Sequence, residues 1–432
     1  MINNILSYEI NFFNLNLSGK KIIKHPLFSG SAIMIVGSNI ANFIAYIYHV
    51  IVGRMLGPSS YGELSAVLSV LTLLFTSFNF MGVVIVKFVA AAEEKEHSGI
   101  YSWFVRKGAI MGTVLSVLLL IASPYLSSFL HIDIAIILLL PFIAILSVFG
   151  FVYRAFLQGL LRFKEVVLAS NLDMGTRLVG GLILIYLGYS VFGAVVGIMM
   201  AAFLSFFLTR YYLRDYRNDG KKEIKFEKGK QVFIYTIPIF LSTIATNSIF
   251  STDVVLVKHF FSSHDAGIYS SLSTLGKIIY FGAGPVGTVM FPMISKRHAK
   301  GQSFKKIFIL SFLLTLAIAM GVVGIYWLFP NMAIGVLYGE EYLEGSGDLI
   351  WFGIFMMLIT LSSLLNNFFL SRERTKVVVF VVIAAIVQVF GIWFFHSSLR
   401  QVIQVSIVAA SLLLISLLIY FANDIKNGKK EQ

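Results

Sequence analysis

The chain has 432 residues, of which 58% are hydrophobic and 13% charged, with a formal net charge of +13 and no cysteine. Soluble domains have about 45–50% apolar and about 25% charged residues, so this composition points to a membrane protein. The missing cysteines exclude a disulfide framework, a thiolate nucleophile and a Cys metal site. The basic excess does not indicate a nucleic-acid partner, because Lys and Arg sit in short loops between apolar runs and form no continuous basic or basic-aromatic stripe.

Residues 1–27 open MINNILSYEINFFNLNL, without an early basic residue or an A-x-A site. This segment is predicted to be a cytoplasmic N-terminal segment rather than a cleavable signal, lying on the membrane surface or forming an unanchored tail. Twelve apolar spans follow, predicted at 28–56, 62–90, 104–126, 133–157, 164–187, 190–213, 231–259, 266–294, 305–329, 347–371, 376–396 and 401–422. Each is about the length that crosses the hydrocarbon core. None alternates every second residue as a barrel strand would, so the spans are predicted to be helices, which satisfy their own backbone in lipid. The expected fold is an all-α integral membrane protein of about 12 transmembrane helices.

Orientation follows from loop charge. Of 34 Lys and Arg residues, 29 fall at one set of alternate connections and the two chain ends. The positive-inside rule makes that side cytoplasmic, with both termini there. The opposite connections are nearly free of basic residues, and NMAIGVLYGEEYLEGSGD is acidic. No loop is long enough to form a separate domain, so function is expected inside the helical bundle.

The basic stretch 214–230 is read as a cytoplasmic linker between two six-helix lobes, 28–213 and 231–422, around a central cleft, with 423–432 as a tail. A weak internal repeat supports the division. SYGELSAVLSVL from Ser60 echoes DAGIYSSLSTLG from Asp265, 205 residues later, placing Gly62 on Gly267. The first helix of each half also ends in a basic residue or imidazole, Arg54 in one and Lys258 with His259 in the other. Parallel repeats of this kind leave two lobes that can rock about a midplane site.

Polar groups within the spans are the candidate cavity residues, because a mid-bilayer charge is costly. Asp173 and Arg177 stand one helical turn apart and can pair. Asp253, with Asn247 further in, and Lys277 could pair across helices or face an aqueous cavity. Ser242, Thr243, Thr246, Ser270, Ser271, Ser273 and Thr274 suit the wall of such a cavity. Asn39 and Asn42 are similar, weaker signals in the first span. Arg54, Lys87, Arg154, Lys258 and Pro285 are candidates for a gate or entrance. Pro238, Pro285 and Pro292 are predicted to interrupt the seventh and eighth spans. The histidines at 49, 131, 259, 264, 298 and 396 sit singly, and no catalytic, metal-binding or phosphate-loop pattern is present.

Three stretches resemble the polysaccharide transporter branch of the multidrug/oligosaccharidyl-lipid/polysaccharide exporter superfamily, which includes O-antigen flippases. They are IYHVIVGRMLGPSSYGELSAVLSVLTLL (47–74), with its Arg, LGP and YG; YRAFLQGLLRFKE (153–165), with its R-x-x-LQG-x-x-RF element; and 235–278. The matches lie in order along nearly the whole chain. The resemblance implies a flippase in the inner (plasma) membrane that moves undecaprenyl-pyrophosphate-linked oligosaccharide outward by alternating access, for O-antigen, capsule or a similar surface polysaccharide. It also implies membrane lipids and other polysaccharide-assembly membrane proteins as partners. No cofactor and no catalysis are expected, with coupling to H⁺ or Na⁺ left open. A multidrug or cation antiporter of the same superfamily is the alternative, and a membrane polysaccharide polymerase a more distant one.

Overall fold

The computed structural model describes residues 26–76, 78–217, 229–299, 302–372 and 374–428. The N-terminal segment to residue 25 and most of the 214–230 linker lie outside these ranges. Among the described residues the chain is helical, without strands. The helices are α1 (Pro26–Thr76), α2 (Asn79–Ala91), α3 (Glu94–Leu130), α4 (Ile134–Ile137), α5 (Leu140–Gly159), α6 (Phe163–Leu184), α7 (Ser190–Tyr212), α8 (Gly229–Phe260), α9 (Ser263–Ala299), α10 (Lys305–Leu328), α11 (Pro330–Leu337), α12 (Ser346–Leu370), α13 (Val378–Phe394) and α14 (Leu399–Gly428).

Ten stretches among the described residues are long and apolar enough to cross a membrane. Two of them are 41 and 50 residues long, where twelve shorter spans were predicted. Each folds back on itself at a glycine with positive φ. In α1 this is Gly57 (φ 69°), followed by Pro58 as the first residue of the second arm. His49 Nδ1 and Tyr61 Oη meet at 3.1 Å, although a straight helix would hold those residues about 18 Å apart along its axis. Between α6 and α7 the turn is Gly188 (φ 92°). There Gly197 lies so close to Gly181 that an added Cβ would fall 2.6 Å from its backbone nitrogen, and Gly193 sits likewise against Leu184. That antiparallel spacing makes 163–212 a hairpin.

The prolines behave differently from expectation. α9 runs through Pro285 and Pro292 without interruption. The predicted 62–90 span is divided between two helices, α1 ending at Thr76 and α2 beginning at Asn79, and Thr72 and Thr76 turn their hydroxyls back onto the carbonyls of Leu68 and Thr72.

Buried apolar side chains gather into three clusters. Two are drawn from residues 48–213, and the third from residues 245–417 together with Tyr61. The lobes meet mainly where α1 packs on α8 and α9.

The connections sort by charge. Those poor in Lys and Arg converge on one face. Ser190 reaches Ser60, Lys258 reaches His131, Arg54 reaches Val336, and Phe260 stacks on His396 at 3.7 Å. The base-rich connections meet on the other. Ser98 donates to the Tyr216 carbonyl, Arg162 to that of Tyr212, and Arg372 lies over Phe304.

Candidate functional site

The base-poor face is sealed by contacts between the lobes. At its centre the glycines of the internal repeat sit on one another's turns. An added Cβ on Gly62 would meet the Ser263 carbonyl oxygen at 2.4 Å and the Gly267 nitrogen at 2.6 Å, and one on Gly267 would meet the Pro58 carbonyl oxygen at 1.8 Å. Only glycine permits this approach.

On one flank Arg54 Nη2 donates to the carbonyls of Gly335 (3.1 Å) and Val336 (2.6 Å), and Tyr342 donates to the Gly53 carbonyl (2.7 Å). On the other, Lys258 donates to the His131 carbonyl (3.3 Å) and His259 Nδ1 to that of Phe129 (2.7 Å), its ring stacked on Phe129 at 3.8 Å. His259 stands 205 residues after Arg54, and His131 stands 205 before Val336, so each lobe clamps the other at matching positions. Beneath the seal Tyr61 Oη touches His49, Thr274 and Tyr338, joining both lobes through hydroxyls.

Two cavities lie on the base-rich side of this seal. One, of about 390 Å³, lies within the N-terminal lobe and is lined by α1, α5, α6 and α7, with Arg154, Asp173, Arg177, Ser147 and Asn42 among its wall residues. The other, about 830 Å³, is an interlobe cleft between the first arm of α1 and α9, α10 and α12, lined by Asn39, Asn42, Tyr280, Phe281, Pro285, Thr360 and Asn367 among others. Ser38 and Asn42 line both.

The predicted site residues are therefore divided. Arg177 and Asp173 share the smaller cavity and approach to 3.7 Å. Asn39 and Asn42 line the cleft, as does Pro285. Arg54 and Lys258 close the base-poor face as a gate would. Arg154, predicted at a gate or entrance, faces the smaller cavity instead, and Lys87 is exposed near the base-rich end of α2 and lines neither cavity.

Asp253 is 1% exposed. Its carboxylate accepts from Tyr269 Oη at 2.8 Å and from the Val254 nitrogen at 2.9 Å, so it faces neither cavity. It makes no ion pair with Lys277, which lies within electrostatic reach of Asp253 and His49 and also lines neither cavity. Asn247 donates to the Thr243 carbonyl of its own helix, and Ser270, Ser271 and Thr274 bond back onto α9. These side chains fall in the half of the bundle where the lobes touch. The C-terminal wall of the cleft begins further along α9, at Tyr280. The tyrosine–histidine cluster escaped sequence reading because His49, Tyr61 and Tyr338 are distant in the chain and meet only through the turn at Gly57 and the seal.

The sequence motifs acquire structural reasons. LGP supplies the Gly57–Pro58 turn. In the second element, Gly159 lets α5 approach Val89 of α2, and Arg162 ties the following turn to Glu165 and to the end of α7. Ser262 and Asp265 cap α9 by reciprocal hydrogen bonds. Among the described residues no three His, Asp or Glu side chains come together to hold a metal ion.

Several solved structures share this fold. One is an inward-facing multidrug resistance MATE family transporter of the MOP superfamily, with a TM-score of 0.77 and 17% identity over 91% of this chain and 99% of that one. The lipid II flippase MurJ in an inward closed conformation gives 0.71 and 15% over 90% and 87%. An outward-facing MATE family transporter gives a lower 0.63 at 17% over 93% and 96%. A search of curated proteins returned no match. The model of one family, described as polysaccharide biosynthesis protein, matches residues 27–298. The multi-pass helical fold, the motif-bearing turns and this match together establish that the chain belongs to the polysaccharide biosynthesis protein family.

Proposed function

We propose that the protein is a flippase that carries undecaprenyl-pyrophosphate-linked oligosaccharide from the cytoplasmic to the outer leaflet of the inner membrane, supplying a surface polysaccharide such as O-antigen or capsule. The observation that carries this reading is a pair of cavities that share Ser38 and Asn42 in their walls, lie on the base-rich side of the interlobe seal, and include the Arg177 guanidinium in a wall. A headgroup bearing phosphate cannot cross hydrocarbon unaided, and Arg177 meets it inside the bundle. Rocking of the lobes would break the seal and expose the cavities to the other face. With the base-rich face inside, outward movement of two negative charges gains about 4.6 kcal/mol per 100 mV of inside-negative potential. A cation antiporter would need an acidic cavity, whereas Asp173 here is outnumbered by Arg154 and Arg177. Membrane lipids and other polysaccharide-assembly membrane proteins are the partners this role requires.

The direct test is flipping of defined lipid-linked oligosaccharides by the purified protein in vesicles. Transfer no faster than in empty vesicles would overturn the reading. Orientation is tested separately. Reporters fused after Asn218 and after Gln432 are expected to read cytoplasmic, and one within 339–347 outside. A reversed or mixed pattern would remove the direction of transport.

Asp253 is the candidate for ion coupling, by taking up H⁺ or Na⁺ when its bond with Tyr269 loosens. Asp253→Asn keeps an acceptor for Tyr269 and is expected to insert normally but to flip more slowly, with the dependence of rate on pH and sodium flattened. Wild-type rates at every pH and sodium concentration would reduce Asp253 to a packing residue.

A further inference from the structure

The internal repeat runs further than the seal. Gly82 and Gly287 keep the spacing of 205 residues, and each packs on the fourth span of its own half, Gly82 against Phe151 of α5 and Gly287 against Leu364 of α12. The two halves are therefore related along their whole second spans, the second arm of α1 with α2 in one and α9 in the other. At the base-poor ends of these spans Gly62 and Gly267 meet across the relating axis. The base-rich ends, at Ala91 of α2 and Ala299 of α9, stand at equivalent places on either side of the same axis. Rocking that parts the glycines swings these ends towards each other.

The corners that follow carry opposite charge. Glu93, Glu94, Lys95 and Glu96, leading into α3, hold three carboxylates against one ammonium, and all four are exposed. At the equivalent corner Lys296 and Arg297 end α9 and Lys305 and Lys306 begin α10, with no acidic residue between 293 and 307. The positive-inside rule accounts for bases on this face but not for an acidic corner among them. Glu93 and Glu96 close a capping box on α3, and Glu93 also pairs with Lys95 at 2.6 Å, whereas Glu94 makes no ion pair among the described residues. Lys305 and Lys306 are exposed at the start of α10, the end where a helix dipole disfavours cations, and no acid in that turn offsets them. Two basic corners would repel each other on closing, and an acidic corner facing a basic one would not.

We propose that the 93–96 corner and the 296–306 corner close on each other when the base-poor seal opens, forming an electrostatic latch that shuts the base-rich face behind the substrate. This rests on the rocking of the flippase reading and names the contact that completes it. The two closures differ in kind. The glycine seal is packed backbone, whereas exposed ion pairs are individually weak and screened by salt, so the latch holds the second state without trapping it.

The test uses full-length protein in lipid nanodiscs, with spin labels at Ser102 on α3 and Gln302 beside the start of α10, both exposed and in different lobes. Double electron–electron resonance is expected to show a shorter distance between them in Gly267→Ala, as the base-rich face closes. In that background Glu94→Lys should lower the short-distance population by about fivefold or more, and Lys305→Glu with Lys306→Glu should act alike. Combining all three substitutions should recover part of the loss, which separates a charge contact from a folding defect. Raising salt from about 50 mM to about 500 mM should lower the short-distance population in Gly267→Ala itself. No short distance in Gly267→Ala, a population that Glu94→Lys leaves unchanged, or no recovery in the combined variant overturns the latch. If the latch fails in this way while the wild type flips lipid-linked oligosaccharide, the flippase reading stands. If the charge variants act as expected but the wild type moves no oligosaccharide, the latch stands and the flippase reading falls.

Discussion

Replacing Gly267 with alanine is expected to hold the lobes apart on the base-poor face. The new methyl would lie 1.8 Å from the Pro58 carbonyl oxygen and 2.4 Å from its carbon, atoms of a fixed turn rather than of a side chain that can swing away. Forcing a methyl into a packed contact costs about 1–3 kcal/mol. The cost falls only on the closed arrangement, because Gly267 meets the other lobe and not its own. At about 2 kcal/mol the ratio of closed to open molecules would fall about thirtyfold. The chain has no native cysteine, so spin labels can be placed cleanly at Ser59 and Glu344, both exposed on that face and in different lobes. Double electron–electron resonance should show a longer distance in Gly267→Ala than in the wild type. An unchanged distance distribution would mean that the seal is not held by this contact. Gly62→Ala, which meets the backbone of Ser263 and Gly267, should act in the same direction.

Arg372→Ala is expected to be the most damaging substitution on the base-rich face. The Arg372 guanidinium pairs with Asp424 near the end of α14 and lies over the rings of Phe304 and Phe368, at 4.5 and 5.3 Å. Both charged side chains are about nine-tenths covered. Removing the arginine leaves the carboxylate with the more distant and exposed Arg374, at 3.7 Å. Breaking a buried pair costs about 3–5 kcal/mol, because the remaining charge stays desolvated. Thermal unfolding in detergent should fall by several degrees. Arg372→Met with Asp424→Leu should recover much of the loss, since an apolar pair leaves no charge behind. If the single and double variants melt together at the wild-type temperature, the pair contributes nothing to stability.

The helical fold and the alternation of its connections could be read from the sequence because both follow from lipid itself. Runs of about 20 apolar residues must be helices, and Lys and Arg gather on one side. The reversals at Gly57 and Gly188 were harder to see, since each depends on one φ angle inside an apolar run that looks continuous. The prolines of α9 misled in the opposite sense: the helix passes through both. For the site, Arg177, Asp173, Asn39 and Asn42 were legible as polar groups where lipid forbids them. Asp253 and Lys277 gave the same signal, but burial against Tyr269 and beside His49 cannot be told from a wet wall by hydropathy alone. Arg154 was read as a gate or entrance residue from its place near a helix end, and its position in the wall of the smaller cavity depends on the packing of α5, which hydropathy does not carry.

The paired glycines also bear on how such a chain could have arisen. A half-length protein of six helices carrying one such glycine would, as a two-fold dimer, place it against its own copy, residue i on j and j on i. The present contact has that form, with Gly62 and Gly267 in the two roles and Arg54 and His259 as the flanking arms. In a single chain the two halves are free to differ: one arm is an arginine and the other a lysine–histidine pair, and the connection facing Arg54 contains α11 and an acidic 3₁₀ segment, Glu340–Gly345. A symmetric dimer would have to change both arms together. The fused chain can alter one side of its closure while the other keeps it shut.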